Sequence, residues 1–107
     1  MEQITWQDFE KVEIRTGTIT NAELFPEAKK PAYKLTIDFG AYGVLKSSAQ
    51  ITTLYQPADL IGKQVAAVIN FPKKQVANFI SECLVLGAVQ EDSSVVLLQP
   101  EHNVPNG

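Results

Sequence analysis

The stretch Val65–Gly87, VAAVINFPKKQVANFISECLVLG, decides the fold because it holds two apolar runs separated by a polar segment. The runs Val65–Ile69 and Ile80–Leu86 consist mainly of β-branched and aliphatic residues, which predicts two buried strands. Pro72 cannot continue a strand ladder, since proline has no N–H to donate and its φ is fixed. We therefore predict two strands joined by a polar elbow, Asn70–Phe79.

The elbow carries two adjacent lysines, Lys73 and Lys74, followed by Gln75–Phe79, for which we predict one loose helical turn. Ser81 and Glu82 follow where the chain re-enters the core. A basic, polar loop at the mouth of two buried strands is where a β-barrel carries a binding site. The alternative is a solvated loop whose lysines only keep the protein soluble, and the residues alone leave both interpretations open.

The first half of the chain predicts a strand that is interrupted at Gly17 and, after it, a hairpin. Apolar and polar side chains alternate over Tyr33–Phe39, which is typical of a strand with one buried face. A turn at Gly40–Gly43 leads from it into the strand Val44–Ile51. The segment Val12–Thr20 also alternates, and Gly17 within it indicates a bulge or a sharp bend.

Two short helices interrupt the strand pattern. Thr5 is suited to cap a helix over Trp6–Glu10, because Asp8 lies where a capping box places an acceptor. Such a short helix is not stable alone, so its two aromatic side chains should pack on the barrel or on a partner subunit. The second helix is predicted over Tyr55–Gly62, with Pro57 at its first position and the glycine past its end.

The pattern as a whole predicts an all-β domain. Five or six short strands, the last at Val95–Leu98, do not alternate with helices, which argues against a parallel α/β fold. A small five-stranded Greek-key barrel of the oligonucleotide/oligosaccharide-binding (OB) type fits best, and an SH3-like barrel or a sandwich stays open on pattern alone. We expect one domain over residues 1–107, with a core over about 8–99 and N- and C-terminal extensions.

Charge and hydropathy limit the possible functions. The 107 residues carry a formal net charge of -3, which argues against nucleic-acid binding by bulk electrostatics. No apolar run is long enough to cross a bilayer and no signal peptide is present, so we expect a cytoplasmic protein without membrane contact. A local basic face can still form if the fold brings together the lysines of the middle of the chain. These are Lys29, Lys30, Lys34, Lys46, Lys73 and Lys74.

The sequence offers no catalytic or metal-binding pattern. His102, the only histidine, lies in a proline-bounded tail, and Cys83, the only cysteine, lies in an apolar strand where a buried, unreactive thiol is expected. No cysteine–histidine metal spacing and no phosphate-binding glycine motif occurs. We therefore predict a protein that is not an enzyme and that uses no cofactor and no metal.

Four stretches together resemble a known family. They are DFEKVEIRTGTI (Asp8–Ile19), AELFPEAKKPAYKLTIDFG (Ala22–Gly40), LKSSAQIT (Leu45–Thr52) and NFPKKQVANFISECLVLG (Asn70–Gly87). In this order they resemble the tRNA-binding domain family, and within it the CsaA-type members. The same domain is appended to some methionyl- and phenylalanyl-tRNA synthetases. The resemblance implies an OB barrel, a homodimer with the terminal segments 1–10 and 100–107 at its interface, and recognition of tRNA by shape. The alternative that it implies is an export-related chaperone that binds unfolded peptides near that interface.

The resemblance also implies which residues contact RNA. The matched positions are Arg15, Lys34, Ser47, Ser48, Gln50, Asn70, Lys73, Ser81 and Glu82, and local charge adds Lys46 and Lys74. Lysine and arginine suit phosphates, whereas small polar side chains suit 2′-hydroxyls and base edges. Glu82 is the exception, because an acid repels phosphate. It would accept hydrogen bonds from bases, or it would orient Lys46 or Lys73.

Aromatic residues are candidates for both functions. Phe71 and Phe79 flank the lysines and are suited to stack on bases, although a core position is expected for at least one of them. Peptide binding needs exposed apolar surface, and for most of its candidates a core or dimer contact is the alternative. Those candidates are Trp6, Phe9, Tyr33 and Tyr42.

Overall fold

A computed structural model describes residues 1–107 and consists mostly of short strands. The strands are β1 (Ile14–Leu24), β2 (Tyr33–Asp38), β3 (Val44–Ala49), β4 (Gln64–Val68), β5 (Lys74–Val76), β6 (Phe79–Ser81), β7 (Leu84–Val85), β8 (Gly87–Val89) and β9 (Val95–Leu97). The helices are α1 (Trp6–Glu10) and α2 (Pro57–Leu60), with a 3-10 turn at Gly40–Tyr42 between β2 and β3. None of the helices has the length and hydropathy that crossing a membrane requires.

The main sheet is antiparallel and curls on itself. Its strand order is β3–β2–β1–β4–β7, with β1 paired to β2 on one side and to β4 on the other. Beyond β6 the chain returns to the free edge of β3, where the Glu82 N–H donates to the Lys46 carbonyl at 2.7 Å. The result is an almost closed five-stranded barrel, which confirms the predicted all-β fold of the OB type. The hairpins β5–β6 and β8–β9 lie outside the main sheet.

The core follows from the alternation in β2. Tyr33, Leu35 and Ile37 are buried while the residues between them are half-buried. Ile19 from β1 and Val65 from β4 join them in one apolar cluster inside the barrel. Burying a side chain of this size stabilises the fold by about 1.5–3 kcal/mol, so this strand anchors the barrel.

No bulge lies at Gly17, so that part of the prediction is wrong. The pairing of β1 with β4 is regular over 14–18, and the register shift of β1 lies between Ile19 and Asn21 instead. A Cβ at Gly17 would lie 2.6 Å from Cγ2 of Ile37 and 2.7 Å from the Phe39 ring. The glycine is therefore needed because core side chains pack directly against the β1 backbone.

The segment after β4 differs from the prediction in two ways. Gln75–Phe79 is not a helical turn, because β5 and β6 pair as a hairpin whose turn holds Ala77 at φ 52°. Nor is Ile80–Leu86 one strand, since β6 ends at Ser81 and β7 begins at Leu84. The residues between them leave the ladder to contact β3, and this contact outweighs the β propensity of the apolar run.

Both helices form where predicted. Thr5 caps α1, since its Oγ1 accepts from the Asp8 N–H at 3.0 Å and its own N–H donates to Asp8 Oδ2 at 3.1 Å. Pro57 opens α2, and Gly62 after it has φ 90°, a conformation that favours glycine.

The aromatic side chains of α1 do not pack on the barrel. Trp6 is 78% exposed and Phe9 is 50% exposed. Of the two alternatives predicted for them, contact with the chain's own barrel is therefore wrong, and contact with a partner subunit stays a prediction.

The C-terminal extension is held by hydrogen bonds to β1 and β4. The Gln64 side chain donates to the Val104 carbonyl at 2.6 Å and accepts from its N–H at 3.1 Å. The Gly107 N–H donates to the Thr16 carbonyl at 2.8 Å. This extension thus packs beside the barrel without burying a large apolar side chain.

Candidate nucleic-acid interface

The barrel closes between β3 and residues 81–83 through a contact that we call the seam. Ser47 Oγ donates to the Cys83 carbonyl at 3.0 Å, and the Ser48 N–H donates to Ser81 Oγ at 3.1 Å. Ser47 is only 1% exposed, so its hydroxyl serves the seam and is not open to a ligand. These hydroxyl groups form bonds where a regular sheet would have backbone–backbone bonds. They satisfy backbone N–H and C=O groups that would otherwise be buried without a partner when the barrel closes.

Glu82 makes further contacts of the seam, beside the Cys83 thiol, which donates to the Lys46 carbonyl at 3.7 Å. Its N–H donates to the Lys46 carbonyl at 2.7 Å, and its Oε1 accepts from the Lys46 N–H at 3.1 Å. Its Oε2 lies 3.8 Å from Nζ of Lys73. The sequence left open whether Glu82 orients Lys46 or Lys73. In the structure it meets the backbone of Lys46 and the ammonium group of Lys73.

A groove of about 630 Å³ lies at the base of the β5–β6 hairpin. Lys73, Lys74, Ser81 and Glu82 line it, together with the exposed ring of Phe71. Four sequence-predicted residues thus share one concave surface, which we call the base groove.

A second groove of about 360 Å³, the tip groove, lies between the end of the hairpin and the loop 25–31. Lys29 and Lys30 from the loop face Ser48 and Gln50 from β3 and its end. The loop and the hairpin also touch, since Asn78 Nδ2 donates to a carboxylate oxygen of Glu27 at 3.4 Å.

Lys29 and Lys30 were expected only as members of a local basic face, and no motif assigned them a contact with RNA. The signal that was present is the pair of prolines, Pro26 and Pro31, that bound their loop. In an OB barrel such a loop lies beside the hairpin that follows β4.

Lys34 and Lys46 project from the outer face of the sheet near these grooves. Lys34 lies opposite Ser48 in the register of β2 and β3, and Lys46 lies opposite Thr36. Nζ of Lys34 is 3.9 Å from a carboxylate oxygen of Glu23. The strand that carries Lys46 therefore runs between the lysine of β2 and the hairpin.

Most of these lysines have no acidic partner. The chain contains three ion pairs, and only two of them involve lysines, Lys34 with Glu23 and Lys73 with Glu82. The lysines of this region without a carboxylate oxygen within 4.0 Å are Lys29, Lys30, Lys46 and Lys74. The fold thus gathers unpaired positive charge on one region of a chain whose net charge is -3.

Only one of the two predicted stacking residues has an open ring. Phe79 packs edge-on against Phe25 with their ring centres 5.5 Å apart. Phe71 makes no such contact and is 54% exposed at the base groove.

The family follows from the comparison of this chain with known proteins. A family model described as "Putative tRNA binding domain" matches residues 14–107. The chain belongs to the tRNA-binding domain family. Solved members that it is similar to are the CsaA chaperone of Bacillus anthracis (55% identity, TM-score 0.95, covering 99% of this chain and 96% of that one) and the CsaA chaperone of Picrophilus torridus (53% identity, TM-score 0.89, covering 96% and 95%).

Longer proteins contain the same domain. The methionine–tRNA ligase of Methanococcoides burtonii is 36% identical over 104 residues, which is 97% of this chain but 15% of the ligase. This member of the tRNA-binding domain family therefore spans about 15% of the length of the curated relatives that it matches.

Two residues that the family resemblance assigns to the site are engaged elsewhere. Arg15 lies 2.7 Å from Glu13 Oε2, and its guanidinium group stacks 4.4 Å from the centre of the Tyr42 ring. Asn70 donates to the Lys11 carbonyl at 2.6 Å and accepts from the Glu13 N–H at 3.0 Å. These two side chains hold Lys11 and Glu13, which precede β1, against the barrel. Neither side chain lines the base groove or the tip groove.

Tyr33, a candidate for peptide binding, is 3% exposed and donates its hydroxyl to the Tyr55 carbonyl at 2.7 Å. It belongs to the core, as the alternating pattern of β2 requires.

The thiol of Cys83 is unsuited to chemistry. Burial, together with the negative charge of Glu82, raises its pKa to about 11, against a smaller lowering by the hydrogen bond to Ser47. The thiolate is the reactive form of cysteine, so this thiol is a poor nucleophile at neutral pH.

We expect Cys83 in the folded protein to react slowly with iodoacetamide at pH 8, with a rate that rises toward a midpoint near pH 11. In urea the midpoint should fall to the ordinary value of about 9.0. Because the folded pKa is the higher one, the thiol's contribution to stability is complete below pH 9 and is lost as the pH approaches 11. Mass spectrometry of the alkylated chain measures the rates, and a native midpoint near 9 would contradict the burial argument.

Proposed function

We propose that this chain binds folded tRNA without chemical catalysis, on a surface formed by β3, the β5–β6 hairpin and the loop 25–31. The supporting observation is the group of lysines without acidic partners on that surface, on a chain that is anionic overall. Phosphate contacts provide most of the affinity of nucleic-acid binding, and an anionic protein can provide them only through a local basic face.

Each part of the surface has a proposed role. Lys73 and Lys74 in the base groove and Lys29 and Lys30 in the tip groove would contact phosphates. Gln50, which is exposed beside the tip groove, would bind a 2′-hydroxyl, the group that distinguishes RNA from DNA.

Recognition by shape is favoured over recognition of a single strand. Proteins that bind single strands usually carry several aromatic platforms along the path of the bases. Here Phe71 is exposed, whereas Phe79 is packed against Phe25. Two lysine-lined grooves with one free ring suit a folded backbone better than a row of unstacked bases.

Absence of catalysis is part of the proposal. The only cysteine carries a protonated thiol at neutral pH, and His102 is exposed in the C-terminal extension. The ligation activity named in the longer relatives would lie in the part of those proteins that this chain does not match. Binding of tRNA would place the chain in the cytoplasm.

A second candidate function is the binding of unfolded or exported peptides by a homodimer. The support is the N-terminal segment, in which Ile4 before α1 and Trp6 and Phe9 within it are exposed, and the likeness to chaperones named CsaA. A five-residue helix is not stable without packing, and monomers rarely expose such apolar clusters. We infer that a second copy covers α1, with segments 1–10 and 100–107 at the interface, and that a peptide would bind beside it.

We expect the double variant Lys73→Ala with Lys74→Ala to bind unfractionated tRNA about tenfold more weakly at low salt, because two phosphate contacts are lost. The slope of log affinity against log salt should fall by about 2. Filter binding over a salt series measures both. The wild type should also prefer tRNA over single-stranded RNA of the same length.

The matched control is Lys11→Ala with Lys63→Ala, which removes the same charge from outside the two grooves. It should leave the affinity within about twofold, since neither lysine lines either groove. Equal losses of affinity in the two double variants would mean that binding depends on net charge alone. No loss in either variant would mean that the hairpin is not part of the site.

For the dimer, we expect Trp6→Ala to shift the protein toward a monomer in analytical ultracentrifugation, because the largest exposed apolar side chain of α1 is lost. Leu24→Ala, which removes an exposed apolar side chain from β1, is the control and should not shift it. A wild-type chain that sediments as a monomer at all accessible concentrations would overturn the dimer.

A further inference from the structure

Glu82 is an acid inside a surface proposed to bind phosphate, and its position there needs a reason. It lines the base groove together with two lysines. A free carboxylate in that place would repel RNA, so a purely electrostatic account predicts that the site would bind better without it. The contacts of Glu82 indicate a different role.

The carboxylate of Glu82 connects two separate parts of the surface. One oxygen accepts from the Lys46 N–H on β3 at 3.1 Å, and the other lies 3.8 Å from Nζ of Lys73 at the start of the hairpin. The Glu82 side chain is 23% exposed, whereas that of Lys73 is 73% exposed. The acid is thus held in place by the barrel, and the lysine that it faces has no other acidic partner.

The backbone of Glu82 strengthens this arrangement. Its N–H donates to the Lys46 carbonyl, so residue 82 meets residue 46 through both its main chain and its side chain. On either side of it, Ser81 and Cys83 form further bonds of the seam. A carboxylate anchored in this way keeps a fixed position relative to β3.

We propose that Glu82 is a positioning residue: it fixes the hairpin on β3 and holds the Lys73 ammonium over the base groove, without touching RNA itself. This inference rests on the proposed RNA-binding function. The direction in which one substitution at Glu82 changes the affinity for RNA therefore tests the inference. Removal of a negative charge from a phosphate-binding surface strengthens binding if the charge only repels, and weakens binding if the charge holds a lysine in place.

The test is a double-mutant cycle between Glu82→Gln and Lys73→Ala, read out as affinity for unfractionated tRNA. The amide of Glu82→Gln keeps an oxygen that can accept from the Lys46 N–H, so the barrel stays closed while the attraction for Lys73 is lost. We expect Glu82→Gln to weaken binding about two- to fivefold in the wild-type background, which is the range of an exposed ion pair. In the Lys73→Ala background the same change should leave binding unchanged or strengthen it.

Two measurements separate positioning from a loss of fold. Denaturant unfolding should give Glu82→Gln a stability close to that of the wild type, and hydrogen exchange of the Lys46 amide should stay slow. Glu82→Ala, which loses the acceptor as well, should speed exchange at Lys46. Glu91→Gln, in the turn between β8 and β9, is the control for charge alone and should not change the affinity measurably.

Stronger binding by Glu82→Gln in both backgrounds would overturn the inference, and so would an equal loss in both, because the effect would not pass through Lys73. If Lys73→Ala weakens binding but the cycle shows no coupling, the inference fails while the proposed function stands. If Lys73→Ala and the double lysine variant both bind normally, the proposed site fails, and the role of Glu82 fails with it.

Discussion

Closure of the barrel at the seam is the constraint on which the rest of the structure depends. β3 and residues 81–83 are more than 30 positions apart in sequence, yet side chains join them at Ser47, Ser81 and Glu82. Each such hydrogen bond contributes about 0.5–1.5 kcal/mol, and together they fix where the β5–β6 hairpin leaves the barrel. Lys73 and Lys74 are carried by that hairpin, so the geometry of the basic surface follows from the seam.

This arrangement gives the polar residues of the family motif two kinds of role. Ser47 is buried in the seam and acts on a ligand only through the fold, whereas Gln50 and the lysines around it are open to solvent. A small hydroxyl side chain allows the two backbones to approach while still satisfying their polar groups. β3 thus closes the barrel with its free backbone edge and the Ser47 hydroxyl, and it carries Lys46 on its outer face.

The sequence was sufficient for the parts of the fold that depend on local pattern. The alternation of apolar and polar residues predicted β2. The capping box of Thr5 and Asp8 predicted α1, and Pro57 predicted the start of α2. It was insufficient where a distant contact overrides propensity. The run Ile80–Leu86 reads as one strand, and only the presence of β3 explains why Glu82 and Cys83 leave the ladder.

In the candidate site, too, local pattern predicted some residues, and others depend on distant contacts. The lysines of the hairpin were evident from local charge, but Lys29 and Lys30 join them only because the loop 25–31 folds against the hairpin tip. Arg15 was assigned by resemblance, and its stacking on Tyr42 depends on the 3-10 turn Gly40–Tyr42, for which we predicted only a turn. Which polar side chains face a ligand and which face the protein is a tertiary property that no local pattern contains.

Seam closure gathers the lysines into one surface, which we propose binds tRNA. The most direct measurement is an NMR titration of the isotope-labelled chain with unfractionated tRNA, followed through the backbone amides. Binding at this surface should shift the amides of residues 27–30, 46–50 and 71–82 only, with none at Lys11, Lys63 or the β8–β9 turn. Shifts centred on α1, or spread evenly over the chain, would contradict it.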